Sequence, residues 1–324
     1  MHPTLIPPAE LLRTAFHQYR LHFRYILTLF AVPFVLYVLM VLSSLGAYRP
    51  ALSLLGGLIG LAAALSSLLA GLGFVAALAM GNMGESVTDT FRRGYALFFP
   101  FILVIVLTLF IFLGAFSLLI IPGVILSVLL SQATFTLVVD GKRDFSALLA
   151  SWQLVRNYFW AVVGRLAILW VVSILAAGIL VVILSLLGLS PSLSLGVQSL
   201  SELARAQFSG RVLPAIIIIN AFKLFVLTPF SILFLFELYK SLRANTADLP
   251  KLTEESLKKR RTLLITCGVL GIFVLLVFLV FSRVLFNYSI QALELSGGPT
   301  RDFVQTLTEL RSLSPQQIQT RFTR

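Results

Sequence analysis

Two cations stand where cations are costly. Lys223 lies ten residues into the apolar run 213–238, and Arg165 lies seven residues into the run 158–188. At 1.5 Å per helical residue these offsets amount to about 15 Å and about 10 Å of depth. A charge near a bilayer centre costs at least about 2.5 to 3.5 kcal/mol on insertion scales, so such side chains face a bundle interior, a wet cavity or a partner. No Asp or Glu lies deep in any apolar run, which disfavours proton transfer through a buried carboxylate and removes the obvious ion-pair partners. Asn220 and Ser231 fall within roughly 80° of Lys223 around an ideal helix and extend its polar stripe. Two accounts fit this pattern. In one, Arg165 reaches back to the inner boundary and Lys223 donates to carbonyls or to Gln132, Thr134 or Thr136 of the fourth run. In the other, Lys223 and Arg165, with Asn220, Ser231 and Gln132, line an inward cavity of positive potential that receives an anionic head group or phosphate ester.

Enzymatic constellations are missing from the sequence. His17 and His22 are five apart with no carboxylate pair beside them, His2 is terminal, and neither HExxH nor HxxxH occurs, so no metal site is expected. The glycines Gly56, Gly57 and Gly60 sit inside an apolar helix rather than in a phosphate-binding loop. Gly56, Gly60, Ala64, Ser67 and Gly71 recur at helical spacing, a strip that lets a neighbouring backbone approach closely. Neither a catalytic residue nor a cofactor is expected.

The elements that must position these residues follow from composition. Of 324 residues 58% are hydrophobic and only 12% charged, with Lys and Arg at 25 against 13 Asp and Glu. A soluble domain carries about a quarter charged residues, so the chain reads as an all-α, polytopic transmembrane bundle. Runs of the roughly 20 apolar residues that a span needs occur at 25–45, 53–80, 98–120, 123–139, 158–188, 213–238 and 262–283. No stretch long enough for a soluble catalytic module remains. Ile121, Pro122 and Gly123 divide the third run from the fourth and predict a tight hairpin there. The first run is preceded by about 24 residues and has too long an apolar core for a cleaved signal peptide. The single Cys267, within the seventh run, permits no internal disulfide.

Alternate connections differ sharply in charge. Arg13, Arg20, Arg24, Arg92, Arg93, Lys142, Arg143, Arg156 and the seven cations of 240–261 share one side, against Arg49, Arg205 and Arg211 on the other, which also receives Arg283, Arg301, Arg311, Arg321 and Arg324 if the seventh run crosses; were it not to cross, the tail would stay on the first side. Cationic loops stay in the cytoplasm, which predicts an inner-membrane protein with a cytoplasmic N-terminus and an external C-terminal tail. The run Lys258 to Arg261 lacks interleaved aromatics and reads as a topology anchor with anionic-lipid contact, not as a nucleic-acid site. Three amphipathic segments precede pairs of spans. In the first, Leu12, Phe16, Tyr19 and Phe23 share a face beside Arg13, His17, Arg20 and Arg24. The second opens on Ser86 and Asp89 in capping-box positions, and the third carries Phe145, Leu148, Leu149, Trp152 and Val155. Each predicts a helix lying at the interface, so residues 1–244 read as three units of one interfacial helix plus two spans. Residues 245–286 add a basic linker and a seventh span, and 287–324 an exposed tail. In that tail Phe303, Leu307 and Leu310 share a face that suits the membrane or another protein.

The stretch from Leu118 to Val139, with Ile121, Pro122 and Gly123 and then Asp140, Ala147, Ser151 and Leu154, resembles a widespread family of bacterial integral membrane proteins. That family includes the membrane domain of some glycerophosphodiester phosphodiesterases and stand-alone proteins of unknown function. Leu238, Tyr239, Leu242 and Arg243 downstream of Pro229 look like its closing pattern, and 11–23 like its opening one. The resemblance covers roughly 9–244 and implies a six-helix core; it transfers no catalytic residue, and the seventh span and tail depart from it. The expected function is that of a non-catalytic membrane protein that binds or organises anionic lipid. A permease or lipid transporter, and an assembly protein partnered by another membrane protein or a second copy, are the rival classes.

Overall fold

The structure is a computed structural model that describes residues 5–44, 50–82, 86–118, 120–187, 189, 213–246 and 254–295. All regular structure among these residues is helical, and seven helical segments are long and apolar enough to cross a membrane. The chain is an all-α multi-pass membrane protein. Its helices are α1 (Pro8–Leu21), α2 (Phe23–Ser44), α3 (Pro50–Met80), α4 (Val87–Leu118), α5 (Ile120–Leu129), α6 (Ala133–Asp140), α7 (Asp144–Arg156), α8 (Phe159–Leu186), α9 (Leu213–Phe222), a π-helical turn (Lys223–Leu227), α10 (Thr228–Thr246) and α11 (Glu254–Leu295). Arg205, Arg211 and the tail face containing Phe303 lie outside the described residues.

The expected spans are all present, with four local differences. The second amphipathic segment is not a separate interfacial helix but the first turns of α4, which runs unbroken for 32 residues. Its start is capped as the sequence indicates: Asp89 N donates to Ser86 Oγ at 3.2 Å, and Ser86 Oγ donates to Asp89 Oδ2 at 2.8 Å. α4 ends at Leu118 and α5 begins at Ile120, ahead of the expected Ile121, Pro122 and Gly123 turn, so that Pro122 and Gly123 fall in the first turn of α5, where a missing N–H costs nothing. Gly123 serves close approach there, since a Cβ would meet the Phe116 ring at 2.5 Å.

The fourth span is broken at 130–132, between α5 and α6. Such a break at membrane depth is tolerated only if protein satisfies the released backbone groups. One hydroxyl does so: Ser151 Oγ of α7 accepts from Gln132 N at 3.1 Å and donates to Leu129 O at 2.7 Å. Thr136 Oγ1 donates to Ala147 O at 2.9 Å, which binds α6 to α7 as well. α7 therefore does more than rest at the interface. Its Ala147, Leu148, Ala150, Ser151 and Val155 are buried among its neighbours. The seventh helix, in turn, continues to Leu295, past the expected boundary at 286.

Backbone contact, not the Gly56 strip, sets the tightest crossings. A Cβ on Gly73 would lie 2.2 Å from Thr90 O and one on Gly94 2.3 Å from Leu69 O, so α3 and α4 touch main chain to main chain. α4 and α11 touch in the same way, with Gly114 facing Cys267 O and Gly271 facing Phe110 O. Within the strip, an added Cβ would meet Ser43 Oγ at Gly56 and the Met40 sulfur at Gly60, at 2.8 Å each, whereas one at Gly71 would meet nothing within 4 Å.

Candidate functional site

The site begins with a proline. Pro229 is buried and has no N–H to give the carbonyl four residues back, and its ring crowds that carbonyl. The helix responds by widening over Lys223–Leu227, where the Thr228 N–H bonds back to Lys223 O, and such π turns concentrate at functional sites. Thr228 Oγ1 adds a second hydrogen bond to the same carbonyl at 3.0 Å. The orphaned Phe225 carbonyl accepts from Tyr19 Oη of α1 at 3.0 Å. Burial raises the Tyr19 phenol above its ordinary pKa, so it stays protonated and keeps that donor.

The widened turn places Lys223 at a cleft of about 320 Å³ between α2, α3 and the α9–α10 helix. Pro33, Phe34, Tyr37 and Met40 form one wall, and Gly60, Ala63, Ala64 and Ser67 form the second. Asn220, Lys223, Leu224 and Thr228 complete it, and Phe34 and Phe225 meet edge to face with ring centroids 5.2 Å apart. Asn220 Nδ2 donates to Tyr37 Oη at 2.7 Å and to Ile216 O at 2.9 Å. The Tyr37 hydroxyl thus keeps its own proton to donate. Lys223 is exposed to the cleft, its ammonium makes no hydrogen bond or ion pair among the described residues, and no carboxylate lines the cavity. Three small residues of the sequence strip, Gly60, Ala64 and Ser67, form a cleft wall, while Gly56 serves packing against α2.

Of the five residues singled out from sequence, the structure brings two together. Lys223 and Asn220 share the cleft. Ser231 does not line it: eight residues beyond Lys223, about 12 Å along the helix, it lies past the cleft, whose lining on this helix ends with Thr228. Gln132 is fully buried in the break of the fourth span, where Nε2 reaches only Ser131 Oγ at 3.5 Å and Oε1 has no partner. Arg165 is buried at 8% exposure and fully engaged elsewhere: Nε and Nη2 donate to Ile6 O at 3.1 and 2.6 Å, and Nη1 donates to Ala161 O at 2.8 Å. The expectation that Arg165 adds a second cation to the Lys223 cavity is not met by this geometry, because its guanidinium is held by the Ile6 carbonyl before α1 and by Ala161 O of its own helix, away from the cleft lining.

That segment and α1 are fastened at several points. Ile6 N donates to Ser241 Oγ at 3.3 Å and Gln18 Nε2 to the buried carboxylate of Glu237 at 2.8 Å, while Lys240 Nζ pairs with the same oxygen at 2.6 Å. Leu11 and Ala15 of α1 are buried against the bundle, leaving Phe16 and Phe23 of the predicted apolar stripe exposed. Tyr37 and Glu237 were not legible as site or anchor residues, since each sits in an apolar helix and takes its role from a partner some two hundred residues away. Among the described residues no group of three His, Cys, Asp or Glu side chains converges as metal ligands. No known protein family matches the chain, and neither the curated proteins nor the solved structures contain a match.

Proposed function

We propose that the protein binds anionic lipid through the Lys223 cleft and has no catalysis of its own. The observation that carries this reading is the solitary, unpaired ammonium about 15 Å along its span in a cavity without a carboxylate. A cation at that depth is tolerable if an anion or water compensates it. The lining suits a lipid: Tyr37 and Asn220 offer polar groups beside Lys223, and Phe34, Met40, Ala63 and Leu224 offer apolar wall. The charge bias of the loops supports a bacterial inner-membrane location with α1 on the cytoplasmic side, which puts the cleft between mid-bilayer and the outer leaflet. Kinship with the six-helix family that the 118–154 stretch resembles is part of the same proposal and contributes no site residue.

Two measurements test it. Native mass spectrometry of the purified full-length chain is expected to show phosphatidylglycerol or cardiolipin retained in preference to phosphatidylethanolamine; retention that follows membrane abundance alone contradicts the proposal. For orientation, single cysteines at positions 92 and 205 in a Cys267→Ser chain are expected to react with an impermeant maleimide in intact cells only at 205. Labelling at 92 before 205 reverses the topology.

A further inference from the structure

The inner end of the bundle holds a second pair of cations that the Lys223 reading does not use. Trp152 and Arg156 are four apart on α7 and therefore share a face. The first turns of α11 bring Arg260 over that face, with its guanidinium carbon 5.4 Å from the Trp152 ring centroid. α11 also packs backbone to backbone on α4 at Gly114 and Gly271. Neither arginine has a carboxylate partner among the described residues: Arg156 Nε donates to Asn157 Oδ1 at 3.1 Å, and Arg260 Nη1 is buried with no hydrogen bond. Two acids at this end are already engaged, Asp140 with Arg243 at 3.1 Å and Glu255 with Lys259 at 2.9 Å. Two adjacent forks of N–H donors without an acid between them match the oxygens of a phosphate diester.

We propose that Arg156 and Arg260, flanking Trp152, bind the phosphate of an anionic glycerophospholipid in the inner leaflet. The ligand is a lipid and not a soluble phosphate because of where the pair stands. Arg260 precedes an apolar run that begins at Thr262, and Arg156 adjoins Tyr158, Phe159 and the 80%-exposed Trp160, an aromatic boundary of the kind found at headgroup depth. Acyl chains leaving the site meet the exposed apolar flanks of α8 and α11, including Val269 and Phe273. The site is distinct from the Lys223 cleft and lies at the opposite end of the bundle.

The test titrates phosphatidylglycerol into the full-length protein in detergent and follows bound lipid by native mass spectrometry. It compares the wild type, Arg156→Gln, Arg260→Gln, the double variant and Lys223→Met. At about a fivefold loss per surface guanidinium, each single substitution is expected to weaken binding about fivefold and the double about 25-fold. Lys223→Met leaves this binding step intact. A second readout keeps the proposal falsifiable if the double variant does not fold. In a Trp160→Phe, Trp170→Phe chain, brominated phosphatidylglycerol quenches the remaining Trp152 more than brominated phosphatidylcholine does, and Arg156→Gln abolishes the difference. Wild-type affinity in both single variants, or equal quenching by the two lipids, overturns the site. Displacement of the lipid by an equal concentration of inorganic phosphate overturns its assignment to lipid. Loss of lipid in Lys223→Met alone leaves the cleft standing and removes this second site.

Discussion

Replacing Gly114 with leucine is expected to lift α11 off the bundle. A Cβ at Gly114 would lie 1.8 Å from Cys267 O, and on the facing helix one at Gly271 would lie 1.9 Å from Phe110 O. Both obstacles are backbone, so no rotamer change relieves them and the helices must separate. Separation exposes the seam formed by Ile111, Ala115, Leu264 and Cys267, all buried now. The combined clash and lost packing should cost about 4 kcal/mol, at the upper end of single-substitution effects. In a chain of this size that corresponds to a fall in Tm of about 10 °C, measured by thermal unfolding in detergent. Gly57 is the control, because a Cβ there meets nothing within 4 Å. Gly57→Leu is expected to leave Tm nearly unchanged, and equal losses at the two positions would show that α4 and α11 are not in backbone contact.

The two intramembrane cations should respond in opposite ways to substitution by methionine. Arg165 gives two hydrogen bonds to the Ile6 carbonyl, which no other donor among the described residues reaches. Its removal leaves that carbonyl unsatisfied and frees the segment leading into α1, a loss of about 2 kcal/mol. Hydrogen exchange should accelerate over α1 first, since Ile6, Gln18 and Tyr19 are its points of attachment. Lys223 has no such partners. In lipid-free detergent Lys223→Met is expected to leave stability equal or higher, because an uncompensated charge is taken from an apolar wall. A destabilised Lys223→Met with an unaffected Arg165→Met would invert the assignment of structural and binding roles.

The spans were legible because burial in lipid demands uninterrupted apolar runs of a fixed length, and α2, α3 and α8 are little more than such runs. What escaped the sequence depends on partners distant in the chain. The break between α5 and α6 exists because Ser151 can replace two backbone bonds, and nothing near Gln132 announces it. The small-residue strip on α3 pointed to close packing, but Gly73, Gly94, Gly114 and Gly271, which make the closest approaches, are not distinguished by spacing from Gly71, where a side chain would find open space. The polar stripe on the sixth span was drawn on an ideal helix. Pro229 was visible, yet the π turn before it, which brings Thr228 round to the cleft, was not, and angle alone ignored the axial distance that keeps Ser231 out of it. Depth alone grouped Arg165 with Lys223, and depth says nothing about which carbonyl a guanidinium finds. Tyr37 joins the cleft only because α2 packs against the π turn and Asn220 reaches across to it, a fact held in neither helix alone.

The most direct test of the central claim is the amount of anionic lipid carried by Lys223→Met relative to wild type, with both proteins purified in parallel from the same membranes and read by native mass spectrometry. The cleft account predicts that one phosphatidylglycerol or cardiolipin molecule is lost from Lys223→Met and kept by Lys223→Arg, with Tm not lowered in the methionine variant. Full retention by Lys223→Met together with a lowered Tm would make the lysine a structural donor and contradict the account.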